Sequence, residues 1–230
     1  MSGTVSYPMS CGFRSFAEFD KINNIDEIKS LVVDKNLGII IGKGQKFSDD
    51  EIAMICELLG RDVSEDDVLL LINTWLNEKI KEFEVDIMTN GADYKKKNAD
   101  GSCVESAMYE MTRNLDCDVI GVSHPDNIGA NNKLLGRNTR WLTKSKGDGW
   151  GGYDVDVSKP TGATRTTVEF MSGAKDVKLF VVSGGNTTAK ELKVYKNLGV
   201  DIIMLNLSLD SPGEKVAYEL GIEMDNLEDI

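Results

Sequence analysis

With 230 residues, 41% of them hydrophobic, the chain is long enough to bury one sizeable core. A net charge of −12 excludes nucleic-acid binding over the general surface and favours solubility. His124 is the only histidine, which excludes a histidine-rich metal site, and neither a metal nor a cofactor is expected.

The cysteines Cys11, Cys56, Cys103 and Cys117 are scattered and form no CxxC pair, so they read as free thiols of a reducing, cytoplasmic compartment. The opening MSGTVSYPMSCGF lacks the basic and apolar regions of a signal peptide. No run approaches the ~18 apolar residues of a membrane span, so no membrane partner is expected.

Residues 1–36 read as an N-terminal extension that packs on the main domain or on a partner. Phe13, Phe16 and Phe19 recur every third residue, and Ile25 to Val33 has a helical pattern. Residues 37–230 read as the main domain. Leu37 to Ile41 is the first strand, and Gly42-Lys43-Gly44 follows it as a ligand-side loop. It is not a P-loop, since no GxxxxGK[ST] is present. Ser48-x-x-Glu51 is a capping box that opens a helix with Ile52, Ile55 and Leu59 on its buried face. Ser64 to Phe83 is a long helix with Val68, Leu71, Ile72, Trp75, Leu76 and Ile80 on one stripe. Trp75 fits core or a dimer interface better than a ligand platform.

Val85 to Met88 is the second strand, and Asn90 and Gly91 belong to its loop. Lys95 to Lys97 read as a solvated loop or as contacts to a second phosphate. A helix is expected over Ser102 to Arg113. Val119 to Ser123 is the third strand, with Ser123 and His124 at its carboxyl end. His124 suits a ligand contact or an acid–base group, or else a turn fixed by its own hydrogen bonds.

Residues 126–161 read as a long polar loop. Its stretch from Ile128 to Gly147 carries Lys133, Arg137, Arg140, Lys144 and Lys146 and no acidic residue, with Trp141, Trp150 and Tyr153 close by. Such a loop suits a lid, a binding loop for a phosphorylated planar ligand or a mobile surface segment, and its chemistry is compatible with single-stranded nucleic acid. Thr161 to Lys175 reads as a helix with Thr164 and Arg165 in its first turns. Arg165 can pair with Glu169 at i+4.

The chain is organised around Val177 to Leu198. Leu179 to Val182 is a buried strand, Gly184 and Gly185 make the turn, and a helix carrying Leu192, Tyr195 and Leu198 ends at Gly199. Thr188-x-x-Glu191 fits a capping box. A helix entered through glycines presents free N–H groups to a phosphate. Val200 to Leu205 is the fifth strand, Ser211-Pro212-x-Glu214 opens the last helix, and the tail from Glu223 to Ile230 reads as exposed.

Gly184-Gly185-Asn186-Thr187-Thr188-Ala189-Lys190-Glu191 resembles the Gly-Gly-x-Gly-Thr-x-x-Glu signature of the LONELY GUY family, long misnamed lysine decarboxylases. Ser183 stands where that family has Pro, and Thr187 where it has Gly. The resemblance is strong at 177–199 and weaker over the rest of 37–210. It implies a Rossmann-like, homodimeric enzyme that cleaves the N-glycosidic bond of a nucleoside 5′-monophosphate. It also implies that Glu191 and an arginine of the preceding helix, Arg165 with Arg140 as its rival, are the functional residues. The wider superfamily includes non-catalytic nucleotide or cofactor carriers and sensors, and a deoxyribosyltransferase-like enzyme is a third alternative.

Five strands alternating with helices predict a doubly wound parallel sheet of order 3-2-1-4-5 with helices on both faces. Its carboxyl edge then gathers Gly42, Lys43, Gly44, Asn90, Gly91, Ser123, His124, Arg140 and the turn Gly184, Gly185, Asn186, Thr187 and Thr188, with Glu191 beside them. A nucleotide or nucleotide-derived ligand is the expected partner.

Overall fold

The structure is a computed structural model that describes residues 25–91, 111–112, 115–123, 139–143 and 151–230. The strands are β1 (Asn36–Gly42), β2 (Ile87–Gly91), β3 (Asp118–Ser123), β4 (Thr139–Thr143), β5 (Asp176–Val182), β6 (Asp201–Asn206) and β7 (Glu223–Asn226). The helices are α1 (Ile25–Val32), α2 (Asp49–Leu59), α3 (Glu65–Glu82), α4 (Gly162–Met171), α5 (Asn186–Asn197) and α6 (Pro212–Glu219).

One seven-stranded sheet holds them in the order β4-β3-β2-β1-β5-β6-β7, and every pairing is parallel. The five strands expected from the sequence keep the order 3-2-1-4-5 within it. The two further strands lie at the edges. β4 falls inside the segment read as a loop, where Thr139-Arg140-Trp141-Leu142-Thr143 supplies the β-branched and aromatic residues that suit a pleated surface.

Alternation along the strands sends side chains to two cores. Ile40, Met88, Val119, Phe180, Val182, Ile203 and Leu205 meet α2 and α3 through Ile55, Val68, Ile72, Trp75 and Leu76. On the other face Leu37, Ile39, Ile41, Leu179, Val181 and Met204 meet Val32 of α1, Ala163 and Phe170 of α4, Leu192 and Tyr195 of α5 and Ala217 of α6. Helices therefore cover both faces, and the fold is a Rossmann-like α/β fold.

Three helices start where their side chains satisfy their own amides. Ser48 with Glu51, Ser64 with Asp67 and Ser211 with Glu214 each form a complete capping box. Trp75 is buried in the core, at an edge-to-face angle to Phe180. Its indole N–H donates to the Asp225 carboxylate at 2.7 Å, and Lys79 pairs with the same oxygen at 2.9 Å. The tail expected to be exposed is thus held. Asp225 lies in β7 as the acceptor that an indole N–H inside a core requires, and Leu227 beyond it is buried in the same apolar cluster as Trp75. Among the described residues no helix is long and apolar enough to cross a membrane.

Candidate functional site

Parallel pairing sets the carboxyl ends of the strands side by side. Gly42 pairs with Val182, Gly91 with Val122, and Ser123 with Thr143. Asn90 is level with Ile40 and Gly121, one residue short of that edge. Arg140 pairs with Ile120. It therefore sits three residues below Thr143, about 10 Å at the rise of a strand, and not in an edge loop. His124, the lysines 95–97 and most of the helix expected over 102–113 lie outside the described residues.

The turn from β5 to α5 is tightly built. Ser183 is buried with φ 49°, an angle that a proline ring, fixed near −65°, cannot take. Its hydroxyl lies 3.1 Å from that of Ser211. Gly184 has φ 115°, and a Cβ there would collide with Thr188. Gly42, at φ 134°, lies so close to the Val182 carbonyl that a side chain would overlap it. The Lys43 N–H donates to Val182 O and the Gly213 N–H to Gly184 O, both at 2.8 Å. Gly42 is therefore a packing requirement. Lys43 is committed as well: its ammonium pairs with Glu51 at 2.6 Å and stands 5.2 Å from the Phe47 ring centroid. Burial acts against Glu51's charge, yet Lys43 and the Ser48 cap hold its carboxyl below the usual range.

Helix α5 starts earlier than its sequence suggests. Its N-cap is Gly185, which has no side chain to offer, and Asn186 is the first helical residue. Thr188 is consequently inside the first turn, and its hydroxyl points at Gly42 O, 3.5 Å away. The expected Thr188–Glu191 capping box does not form, because the chain reaches helical geometry at Asn186, two residues before Thr188. Gly185, Asn186 and Thr187 are exposed. The first amides of α5 thus lie at the surface of the sheet's carboxyl edge, where an anion is favoured.

Released from capping, Glu191 turns inward. It is 8% exposed, and its carboxylate accepts a hydrogen bond from the Thr164 hydroxyl at 2.8 Å. The Thr164 oxygen in turn accepts the Gly152 N–H at 2.7 Å. Gly151 and Gly152, with φ 149° and 74°, lie flat on this pair. A Cβ on Gly151 would stand 2.8 Å from Thr164 Oγ1 and 3.0 Å from Glu191 Oε1, and one on Gly152 2.5 Å from Lys190 Cβ. The strap that follows is held by a bridge between Tyr153 and Pro160, by the Thr161 N–H to Gly152 O at 2.8 Å, and by Lys190 over the Tyr153 ring.

Burial pushes the Glu191 carboxyl up to about 7, against the opposing Thr164 hydrogen bond. Tyr195, one turn further along α5, is pushed upward by burial and then by the Glu191 charge, against a hydrogen bond with Thr167. Glu191 is therefore poised near neutrality, the range in which a carboxyl both accepts and releases a proton.

Arg165 is placed differently. Thr164 is the residue that α4 presents to Glu191, and Arg165 lies about 100° further round the helix. Its side chain is 40% exposed, with Nε 3.8 Å from Glu169 Oε1. The sequence carried two signals for the contacts that surround Glu191. One is the run of glycines ending at Gly152, and the other is the threonine-rich start of α4, TGATRTT, whose Thr164, Thr166 and Thr167 are buried.

An open cleft of about 500 Å³ lies elsewhere, between the ends of β6 and β7 and helix α6, lined by Asn206, Asp210, Lys215, Tyr218 and Met224. Cys117 is half-buried, and burial pushes its thiol up to about 12, which leaves it a poor nucleophile. Among the described residues no group of three or more histidine, cysteine or acidic side chains is placed to hold a metal. Comparison with protein-family models, curated proteins and solved structures gives no significant match to this chain.

Proposed function

We propose that the chain binds a nucleoside 5′-monophosphate at the carboxyl edge of its sheet and hydrolyses the bond between base and ribose. The observation that carries this is the pairing of an uncapped helix mouth with a carboxyl poised near neutrality in the next turn of the same helix. The amides of Asn186, Thr187 and Thr188 would receive the phosphate. Arg165, half-exposed at the start of the neighbouring helix, is the arginine assigned to grip it bidentately.

The C1′–N bond breaks as positive charge spreads over C1′ and the ring oxygen. Glu191, ionised, stabilises that charge and takes a proton from the water whose oxygen bonds to C1′. The base leaves with the bonding electron pair and takes a proton from solvent, and Glu191 then returns the proton it took from the water to solvent. Gly151 and Gly152 cover Glu191 in this structure, so a sugar reaches it only when they move aside.

That cover, together with a turn at Ser183 that proline cannot adopt, favours a second reading, a nucleotide or cofactor carrier without turnover. One experiment separates the two. Nucleoside monophosphates are incubated with the protein and free base is followed by chromatography, while the same compounds and dinucleotides are screened by thermal shift. Base release together with stabilisation supports the hydrolase. Stabilisation alone supports the carrier. Neither effect from any phosphate-bearing compound overturns both.

A further inference from the structure

We propose that Thr164 is a positioning residue that couples the Gly151–Gly152 strap to Glu191, so that the strap's closure fixes the orientation and hydrogen bonding of that carboxyl. The role presupposes that Glu191 is the acting group of the proposed hydrolase.

The geometry is a relay through one hydroxyl. Thr164 has a single proton, directed to Glu191 Oε1 at 2.8 Å, and its oxygen accepts the Gly152 N–H at 2.7 Å. Accepting one bond while donating another polarises the hydroxyl toward the carboxylate. Opening the strap removes the first bond and weakens the second. Thr164 is itself fully enclosed, and the absence of side chains at Gly151 and Gly152 is what lets the backbone come this close. Among the described residues no charged group competes at the relay: the strap contributes two glycines there, α4 contributes threonines, and Lys190 is directed to the Tyr153 ring. Tyr195 is the titratable neighbour within α5, and its upward displacement removes it from the neutral range.

The relay predicts what a space-filling threonine does not. In the unmodified protein, the Gly152 amide shift and the Glu191 side-chain carboxyl ¹³C shift, both followed by NMR, should titrate with one shared midpoint. In Thr164→Val the carboxyl loses its donor, so the midpoint should rise. Gly152 amide exchange should then accelerate about fivefold, the worth of one hydrogen bond. Thr164→Ser keeps the hydroxyl and should restore both. With nucleoside monophosphate, Thr164→Val should lower kcat with little change in KM.

A Gly152 amide silent across the Glu191 titration overturns the relay without recourse to any variant. So does a Thr164→Val protein whose midpoint and exchange match the unmodified chain. The NMR readouts need no turnover, so absence of base release would remove the hydrolase and leave the relay standing or falling on its own.

Discussion

Two neighbouring units of this molecule, β5–turn–α5 and β6–turn–α6, carry the same short pattern and use it in opposite ways. Ser211-x-x-Glu214 closes the mouth of α6. Ser211 accepts the Glu214 N–H at 3.2 Å, and Glu214 accepts the N–H groups of Ser211 and Leu207 at 3.0 and 3.2 Å. Thr188-x-x-Glu191 does none of this, because Gly185 has already begun the helix. Its amides are left open, and its glutamate is freed to enter a buried site. A capped helix end is finished structure, whereas a glycine-entered one keeps unsatisfied donors for something else.

The sharpest way to break this contrast is to neutralise each glutamate. Glu191→Gln should lower base release from nucleoside monophosphate by about 10²–10⁴-fold, the usual worth of a positioned acid–base group, while ligand-induced thermal shifts persist. Glu214→Gln should leave turnover unchanged and lower the unfolding midpoint. Normal turnover by Glu191→Gln would remove the distinction.

The next largest effect lies in the packing beneath the α5 turn. Gly42→Ala should cost roughly 3 kcal/mol in chemical denaturation, since its Cβ would overlap the Val182 carbonyl and its φ is 134°. Gly60→Ala, at the exposed end of α2 where a Cβ meets nothing within 4 Å, should cost only the strain of its positive φ, about 1 kcal/mol.

Glu191 should also give the fold a pH dependence of its own. Glu191 is raised from 4.5 to about 7 in the folded protein, so the folded state binds its proton more tightly than the unfolded chain does. The stability from this group is complete below about pH 4.5 and is lost as pH rises through 7, a decline of at most about 3 kcal/mol. Denaturation midpoints across that window should fall in the unmodified protein relative to Glu191→Gln, whose curve lacks this component. Parallel curves would show that Glu191 does not titrate there. Smallest of all, Ser211→Ala should remove about 1 kcal/mol by uncapping α6, and it also takes away the partner of the Ser183 hydroxyl in the α5 turn.

Much of the architecture was legible along the chain. The apolar runs at 37–41, 119–123, 179–182 and 200–205 are strands, and their order follows from βαβ alternation. The capping boxes at Ser48 and Ser211 formed because their pattern is local, spanning a single turn. Edge strand β4 was hidden within a polar segment, since an edge strand needs no long apolar run. Strand β7 was hidden in an acidic tail, where Asp225 is retained for the buried Trp75 indole. The Gly-Gly turn and Glu191 stood out by spacing, whereas the other half of the site did not. Thr164 and Gly151–Gly152 are separated from Glu191 by 27 and about 40 residues of chain, and only packing of α4 against α5 joins them. Lys43 looked like a phosphate ligand by position, but it is tied to Glu51, whose orientation depends on the Ser48 cap.

By itself the sequence determined a parallel α/β sheet with a glycine-entered helix after the strand at 179–182, because periodicity, glycines and caps act over a few residues. Only the tertiary structure decided that Glu191 points into the protein, that Thr164 meets it, and that Gly151 and Gly152 lie over both. A carboxyl's environment depends on which surfaces exclude water from it, and those surfaces come from distant parts of the chain.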